Sequence, residues 1–233
     1  ELVKLANLIV QISKALACAS RVQAVLDTEP GMAFPAALPD AVEASKADDA
    51  VRFDHVSLTY AGAGAPSLSD ISFTAKRGQT IGVIGGTGSG KSSLINLIPR
   101  FYDATEGSVE ILGRPVQAYP RDVLRGSVSV VMQKAQLFGG TIRSNLLWGN
   151  KNASDADLWA ALETAQAAEF VKAKPLGLDE PVEQGGRNLS GGQKQRLTIA
   201  RALVSKPDIL ILDDSASALD YATDAALRKA LAA

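Results

Sequence analysis

The stretch GGTGSGKSS, residues 85–93, follows the apolar run TIGVIG and leads into the helix-like segment SLINLIPRF. It fits the pattern G-x-x-x-x-G-K-[ST], in the strand, loop and helix context that this pattern requires. Glycines let the backbone curl so that successive N–H groups face a polyphosphate, and the following helix adds its positive dipole end. The stretch therefore predicts a phosphate-binding loop, with Lys91 reaching the β and γ phosphates and the Ser92 hydroxyl ligating magnesium.

A second apolar run, ILIL at residues 209–212, ends in two acids. Alone, Asp213 could equally be a turn-forming residue. Beside a phosphate loop, an acid that ends another central strand is expected to hold magnesium through water. Asp214 then lies where an attacking water must be oriented or deprotonated. The pair therefore predicts a metal-linked carboxylate followed by a general base.

The segment NLSGGQKQR, residues 188–196, has two interpretations. Ser190 and Gln193 form an S-x-x-Q capping box, which needs no ligand. Two adjacent glycines in the first turn of a helix cost stability, however, so Gly191 and Gly192 make more sense where the backbone approaches an anion. The segment predicts either a plain helix cap or a second phosphate contact.

The composition excludes several classes of protein and favours an α/β fold. The chain has 233 residues, 46% of them hydrophobic, and a net charge of -1, which gives no global electrostatic reason to bind nucleic acid or anionic lipid. Cys18 is the only cysteine, which excludes an internal disulfide and suits a reducing compartment. Strand-like runs such as VRFDHVSL, ISFTA and TIGVIG precede two helical patterns, SDADLWAALETAQAAEFVKA and SGGQKQRLTIARALVS, and this alternation predicts an α/β sheet.

The first 50 residues differ from the rest. Residues 1–27 repeat apolar side chains at helical spacing with polar residues opposite, which predicts an amphipathic helix. By default such a helix packs on its own domain. No stretch reaches about 18 consecutive apolar residues, the usual sign of a membrane span. Residues 28–50, rich in Pro, Ala and acids, are typical of a linker.

Taken in order, the motifs resemble those of the ATP-binding cassette (ABC) family, specifically the nucleotide-binding domain of exporter-type transporters. GGTGSGKSS resembles the Walker A loop, LSGGQ the signature, ILILDD the Walker B strand and SALD, residues 217–220, the D-loop. The resemblance runs from about Val51 to the end of the chain. It implies a P-loop NTPase fold: a RecA-like core with an antiparallel β-subdomain and an inserted α-helical subdomain, here C-terminally truncated.

The resemblance also implies a domain plan and a place in the cell. Residues 1–27 are a cytoplasmic extension of the last transmembrane helix, and residues 28–50 are a linker. The ATP-binding core consists of residues 51–133 and 191–233, and the helical subdomain of residues 134–190. One implied partner is a second ABC subunit, in a heterodimer or, as the alternative, a homodimer. The other is the transmembrane domain of the same chain, which meets the helical subdomain through coupling helices; no nucleic acid is implied. We expect a location at the cytoplasmic face of the cell membrane, with this fragment itself soluble.

Single residues carry over onto matching positions, with ATP and Mg²⁺ as cofactors. Tyr60 matches the aromatic residue that stacks on adenine, and Gln133 the Q-loop glutamine that touches magnesium and the attacking water. The implied magnesium ligands are Ser92, Gln133 and Asp213, and the implied catalytic residues are Lys91, Gln133 and Asp214. The Walker A contacts to ATP are Gly85, Thr87, Gly88, Ser89, Gly90, Lys91, Ser92 and Ser93. In a head-to-tail dimer, the contacts to the partner's ATP are Ser190, Gly191, Gly192, Gln193 and Asp220.

Asp214 departs from the family pattern, in which a glutamate base follows the Walker B aspartate. Its side chain is one methylene shorter, and a misplacement of about 1 Å can cost on the order of a hundredfold in rate. The resemblance therefore implies the degenerate-site subunit of a heterodimeric multidrug- or lipid-type exporter, weak or inactive as an isolated ATPase. The alternatives are a soluble ABC ATPase of DNA repair or translation, and a non-catalytic ATP-dependent dimerisation module.

Overall fold

The computed structural model describes residues 1–28, 31–38, 48–215 and 217–232. The chain divides into two compact units, Glu1–Ala33 and Phe34–Ala233. Much of the predicted linker, residues 29–30 and 39–47, lies outside the described residues.

The first unit contains the predicted N-terminal helix, α1 (Leu2–Leu26), none of whose residues is buried. With a mean hydropathy of 1.5 over 18 residues, α1 is long and apolar enough to cross a membrane, a property it shares with signal sequences and with core helices. A count of strictly consecutive apolar residues misses this, because Lys4, Gln11 and Lys14 interrupt the run. The helix prediction is confirmed, and by length and composition alone a membrane span is possible.

The second unit begins with a four-stranded antiparallel sheet in the order β2-β1-β3-β4. Its strands are β1 (Asp49–Leu58), β2 (Leu68–Lys76), β3 (Glu106–Ile111) and β4 (Arg114–Pro115). Buried Phe53 pairs with Phe73 on one side and with Val109 on the other. Branched and aromatic side chains favour strands, which is why VRFDHVSL and ISFTA form them as predicted.

A parallel pair of strands positions the two acids Asp213 and Asp214. β5 (Val128–Val131) pairs in register with β8 (Ile209–Leu212), and the backbone N–H of Asp213 donates to the carbonyl oxygen of Val131 at 2.9 Å. The pairing places the C-terminal ends of both strands at one edge, where Gln133 and Asp214 follow them. This is the geometry that puts ligand sites at the carboxyl ends of parallel strands.

The prediction that TIGVIG forms a strand is wrong. Residues 80–85 are assigned to no strand, and no strand among the described residues pairs with them. Ile84 is 96% exposed, and Ile81 and Val83 are exposed as well. An apolar run becomes a strand of a parallel sheet only with neighbours that complete its hydrogen bonds and cover its faces. The described residues supply neither.

The helices occupy the rest of the second unit. They are α2 (Lys91–Leu97), α3 (Arg121–Ser127), α4 (Ile142–Leu146), α5 (Asp155–Thr164), α6 (Ala168–Lys172), α7 (Gly191–Val204) and α8 (Tyr221–Leu231). A short antiparallel pair, β6 (Gly140–Thr141) with β7 (Pro181–Val182), joins the start and the end of the segment that contains α4, α5 and α6. The pattern SGGQKQRLTIARALVS forms α7 as predicted.

The pattern SDADLWAALETAQAAEFVKA, predicted as one helix, forms two, α5 and α6. The break lies at Gln166, whose φ is +56°, and the Arg196 guanidinium on α7 donates to its carbonyl oxygen at 2.7 Å. Neither Gly nor Pro signals this break. A tertiary contact from a distant arginine therefore overrides the helix propensity of the local sequence.

Two hydrophobic clusters form the core of the second unit. One joins α4, α5, α6 and α7, with Ile142, Leu146, Leu158, Leu162 and Ile199 fully buried. The other lies between the antiparallel sheet, α2, α3 and β5, with Val56, Ile111 and Leu124 fully buried. The phosphate loop leads directly into α2, and α2 packs in the second cluster through Leu94 and Leu97.

Candidate functional site

The phosphate loop closes around its own lysine. The Lys91 ammonium group donates to the carbonyl oxygens of Gly85 and Gly86, both at 2.7 Å, and lies 3.5 Å from the Ser89 hydroxyl oxygen. Carbonyl and hydroxyl oxygens are neutral acceptors, which bind a cation less strongly than a carboxylate does. Among the described residues, no carboxylate pairs with the Lys91 ammonium group. The loop thus presents a positive charge held by weaker partners than a phosphate would provide.

Gly90 makes the turn from the loop into α2. Its φ is +86°, and a Cβ atom there would lie 2.7 Å from the carbonyl oxygen of Ser67 and 2.9 Å from Cδ2 of Leu68. L-residues rarely adopt this backbone conformation, and here the neighbouring chain leaves no space either. Only glycine fits this position.

Asp213 and Asp214 have different hydrogen-bond partners. The Ser92 hydroxyl donates to Asp213 Oδ2 at 3.4 Å, which brings together two of the three predicted magnesium ligands. Hydroxyl and carboxylate oxygens are hard donors of the kind that Mg²⁺ prefers. The residues present therefore fit the predicted cation.

The amide of Gln133, the third predicted ligand, instead donates to Asp214 Oδ2 at 2.8 Å. Asp214 has a φ of +47°, a conformation in which Asp is enriched among non-glycine residues. Its carbonyl oxygen accepts from both the hydroxyl and the backbone N–H of Ser217. The predicted base and the predicted Q-loop glutamine are thus paired directly.

The predicted adenine platform is tied to the phosphate loop. The half-buried Tyr60 donates its hydroxyl to Ser93 Oγ at 3.0 Å, and its ring meets Tyr102 edge-on with centroids 4.9 Å apart. Sequence reasoning missed Tyr102, for which the only signal was an aromatic pair, Phe101-Tyr102, shortly after the phosphate loop. The two tyrosines form an aromatic corner beside the loop.

The LSGGQ segment begins α7 with the predicted capping box. Ser190 Oγ accepts from the backbone N–H of Gln193, and the Gln193 amide oxygen accepts from the N–H of Ser190. A Cβ atom at Gly192 would lie 3.1 Å from the carbonyl oxygen of Ala218, so the second glycine allows close approach to the segment 217–220. The start of α7 therefore contacts the predicted D-loop of its own chain.

Asp220, at the end of that segment, caps α8. Its carboxylate accepts from the backbone N–H and from the hydroxyl of Thr223, and these hydrogen bonds hold its pKa below the usual range. The structure thus brings Ser92 to Asp213, Gln133 to Asp214 and Tyr60 to Ser93, and groups the LSGGQ glycines with residues 217–220. Among the described residues there is no cluster of three or more His, Cys, Asp or Glu side chains that could hold a metal.

Comparisons with known proteins show the family of this chain. Residues 68–217 match the family model described as ABC transporter. The ABC transporter ATP-binding protein YfiB of Bacillus subtilis (strain 168), named as uncharacterized, is 42% identical over 96% of this chain and 38% of its own length. The ATP-dependent lipid A-core flippase of Xanthomonas oryzae pv. oryzae (strain MAFF 311018) is 41% identical over 98% of this chain and 38% of its own.

A solved structure has the same fold. It is described as a bacterial Atm1-family ABC exporter with ATP bound, and it matches 94% of this chain and 38% of its own with a TM-score of 0.84 and 33% identity. The chain thus spans about 38% of the length of these relatives. It belongs to the ABC transporter family. The ATP-binding domains of this family are ATPases whose activity is coupled to transport.

Proposed function

We propose that this chain is the nucleotide-binding motor domain of an ABC exporter, which binds ATP with Mg²⁺ and uses its hydrolysis to drive transport. The observation that carries the proposal is the contact between Ser92 and Asp213 beside the loop that encloses Lys91. Ser92 and Asp213 are 121 positions apart in the chain, and with Lys91 they supply the cation and the hard oxygen donors that a nucleoside triphosphate requires.

Each side chain has a task in this proposal. When ATP binds, the Lys91 ammonium group exchanges its two carbonyl acceptors for the β and γ phosphate oxygens. The phosphate oxygens are stronger acceptors because they are charged. Ser92, Asp213 and Gln133 would hold magnesium, which would neutralise charge on the phosphate oxygens. Tyr60 stacks on the adenine ring, for which its half-buried ring is suited.

The amide nitrogen of Gln133 donates to the Asp214 carboxylate, which leaves the amide oxygen of Gln133 for magnesium and the attacking water. Asp214 then orients the water, with its carboxylate held back by the missing methylene. We infer that this site retains ATP and cleaves it slowly, and that the chain is one subunit of a heterodimer whose partner carries the competent base. Asp214 also supports a second candidate, an ATP-dependent dimerisation module without catalysis.

A head-to-tail dimer explains the LSGGQ segment. A Cβ atom added at Gly191 would meet nothing within 4 Å, so the backbone there is accessible to a ligand from outside the chain. In the proposed dimer Ser190, Gly191, Gly192 and Gln193 contact the γ phosphate held by the partner, and Asp220 lies at the same interface. This chain would then complete the partner's site while its own site remains slow.

The transmembrane domain is the second proposed partner. Phe138 and Trp148 stack with ring centroids 4.7 Å apart, yet they remain 47% and 67% exposed. Such exposed aromatic rings in the proposed helical subdomain, residues 134–190, suit contact with a coupling helix. We propose that α1 extends the last transmembrane helix and leads through residues 28–50 into the core, residues 51–133 and 191–233, at the cytoplasmic face of the membrane.

Replacing Lys91 tests ATP binding directly. In the full-length protein, Lys91→Ala should weaken ATP affinity at least tenfold and remove hydrolysis at this site, because the loop loses the positive charge that contacts the phosphates. Equilibrium titration with a fluorescent ATP analogue and membrane fractionation of the protein measure both parts of the proposal. Lys151→Ala, an exposed lysine, is the matched control. Unchanged ATP binding in Lys91→Ala would refute the site, and a purely soluble full-length protein would favour an ABC ATPase of DNA repair or translation.

Replacing Ser190 separates capping from catalysis. Ser190→Ala should lower the free energy of unfolding by about 1 kcal/mol, the usual value for a lost cap. Ser154→Ala removes an equivalent capping box from α5 and should cost a similar amount. Only Ser190→Ala should slow hydrolysis in the assembled dimer, without changing ATP affinity at Lys91. Urea unfolding and steady-state ATPase assays measure the two effects, and equal ATPase activities in both variants would contradict the signature role.

A further inference from the structure

Phe34 begins the second compact unit and packs, partly buried, on the cluster below the antiparallel sheet. Its ring centroid lies 4.5 Å from the guanidinium carbon of Arg100 and 5.9 Å from that of Arg125. The Arg125 guanidinium carbon also lies 5.3 Å from the ring centroid of Phe101. We call these four residues, Phe34, Arg100, Phe101 and Arg125, the Phe34 clasp.

The position of Arg100 explains why an aromatic ring is needed there. Its side chain is only 6% exposed, and Nε and Nη2 both donate to the Asp103 carboxylate, at 2.7 and 3.0 Å. Its buried Nη1 has no hydrogen-bond partner among the described residues. An unpaired buried donor is unfavourable, and the negative face of an aromatic ring attracts a guanidinium group. Phe34 therefore contributes an interaction that an aliphatic side chain of similar size does not.

Two arginines of the clasp lie next to elements that lead to the proposed nucleotide residues. Arg100 follows α2, whose first residues are Lys91 and Ser92, so about 10 Å of helix separates them from the clasp. Arg125 is on α3, which runs directly into β5 and from there to Gln133. A displacement of α2 or α3 on ATP binding would thus move the partners of Phe34.

We propose that Phe34 is a positioning residue that couples the nucleotide state of the site to the segment 31–38, through which the chain enters the ATP-binding unit. The proposal rests on ATP binding at Lys91. Packed cores shift between discrete arrangements. A small movement of Arg100 or Arg125 therefore displaces Phe34, and with it the segment 31–38.

Hydrogen exchange of residues 31–38 in the full-length protein, with and without ATP, tests the coupling. In the wild type, ATP should change exchange in this segment. Phe34→Leu should raise exchange roughly two- to thirtyfold, the range expected for a lost cation–π contact, and should remove the response to ATP. Phe34→Tyr should restore it. ATP affinity, titrated separately, should change less than twofold in both variants, since neither touches the phosphate loop.

Leu38→Ala is the matched control, since Leu38 is an apolar residue of the same segment, is 37% exposed and has no aromatic ring with which to hold an arginine. It should leave the ATP response intact. The coupling role is overturned if Phe34→Leu keeps the wild-type response, or if the wild type binds ATP without any change in residues 31–38. Failure of the wild type to bind ATP would instead overturn the proposed function, and the separate titration distinguishes this result from the other two.

Discussion

Asp214→Glu should raise single-turnover hydrolysis at this chain's own site by about a hundredfold, the effect expected from moving a base about 1 Å. The added methylene brings the carboxylate towards the position of the attacking water. It also changes the geometry of the hydrogen bond from Gln133, which Asp214 accepts at 2.8 Å. The measurement uses the full-length protein assembled with its partner, in which the partner's own base is replaced so that only this site turns over.

Asp214→Asn is the control for this experiment, because it keeps the size of the side chain and removes its charge. It should stay as slow as the wild type or slower. If the wild type already hydrolyses ATP as fast as Asp214→Glu, then Asp214 is a competent base and the degenerate-site proposal is wrong. Brisk hydrolysis by a homodimer of this chain would lead to the same conclusion.

Gly90→Ala should weaken ATP affinity by about a hundredfold or more. The substitution places a Cβ atom 2.7 Å from the carbonyl oxygen of Ser67 at a φ of +86°. The left-handed conformation alone costs about 1–2 kcal/mol for an L-residue, and the close contact with backbone adds to it. The loop must therefore shift, and Lys91, the next residue, shifts with it. Titration with a fluorescent ATP analogue gives the affinity, and thermal unfolding gives the stability.

Gly64→Ala is the matched substitution, since a Cβ atom at Gly64 meets nothing within 4 Å and its φ is not positive. We expect it to change neither ATP affinity nor melting temperature measurably. If Gly90→Ala unfolds the protein, circular dichroism shows this and the affinity is then measured on the folded fraction at lower temperature. Full ATP affinity in folded Gly90→Ala would show that the turn at residue 90 does not control the loop.

The sequence predicts best the features that depend on a few adjacent residues. The capping box of Ser190 and Gln193 forms as expected, since a cap is satisfied within four residues. The prediction of a phosphate loop also depends only on adjacent residues, the glycines and Lys91 of residues 85–93. The hydrogen bond between Gln133 and Asp214 could not be predicted in this way, because the two residues are 81 positions apart and a motif does not specify rotamers.

Two failures share a cause in tertiary structure. TIGVIG has the composition of a strand, yet the described residues provide no neighbour to pair with it. The helix break at Gln166 arises because Arg196, 30 residues away, donates to its carbonyl oxygen. Local propensity is a weak determinant in both places, since partners distant in sequence decide the outcome.

The contact between Ser92 and Asp213 joins residues 121 positions apart. Contacts that close such long loops form late in folding, so the nucleotide site is complete only when most of the unit is folded. A ligand that binds only the completed site then stabilises the whole unit, by about 2.7 kcal/mol at one hundred times its dissociation constant. Variants that weaken ATP binding should therefore lower the cellular abundance of the protein as well as its turnover, and ATP is at once the fuel of the domain and a folding ligand.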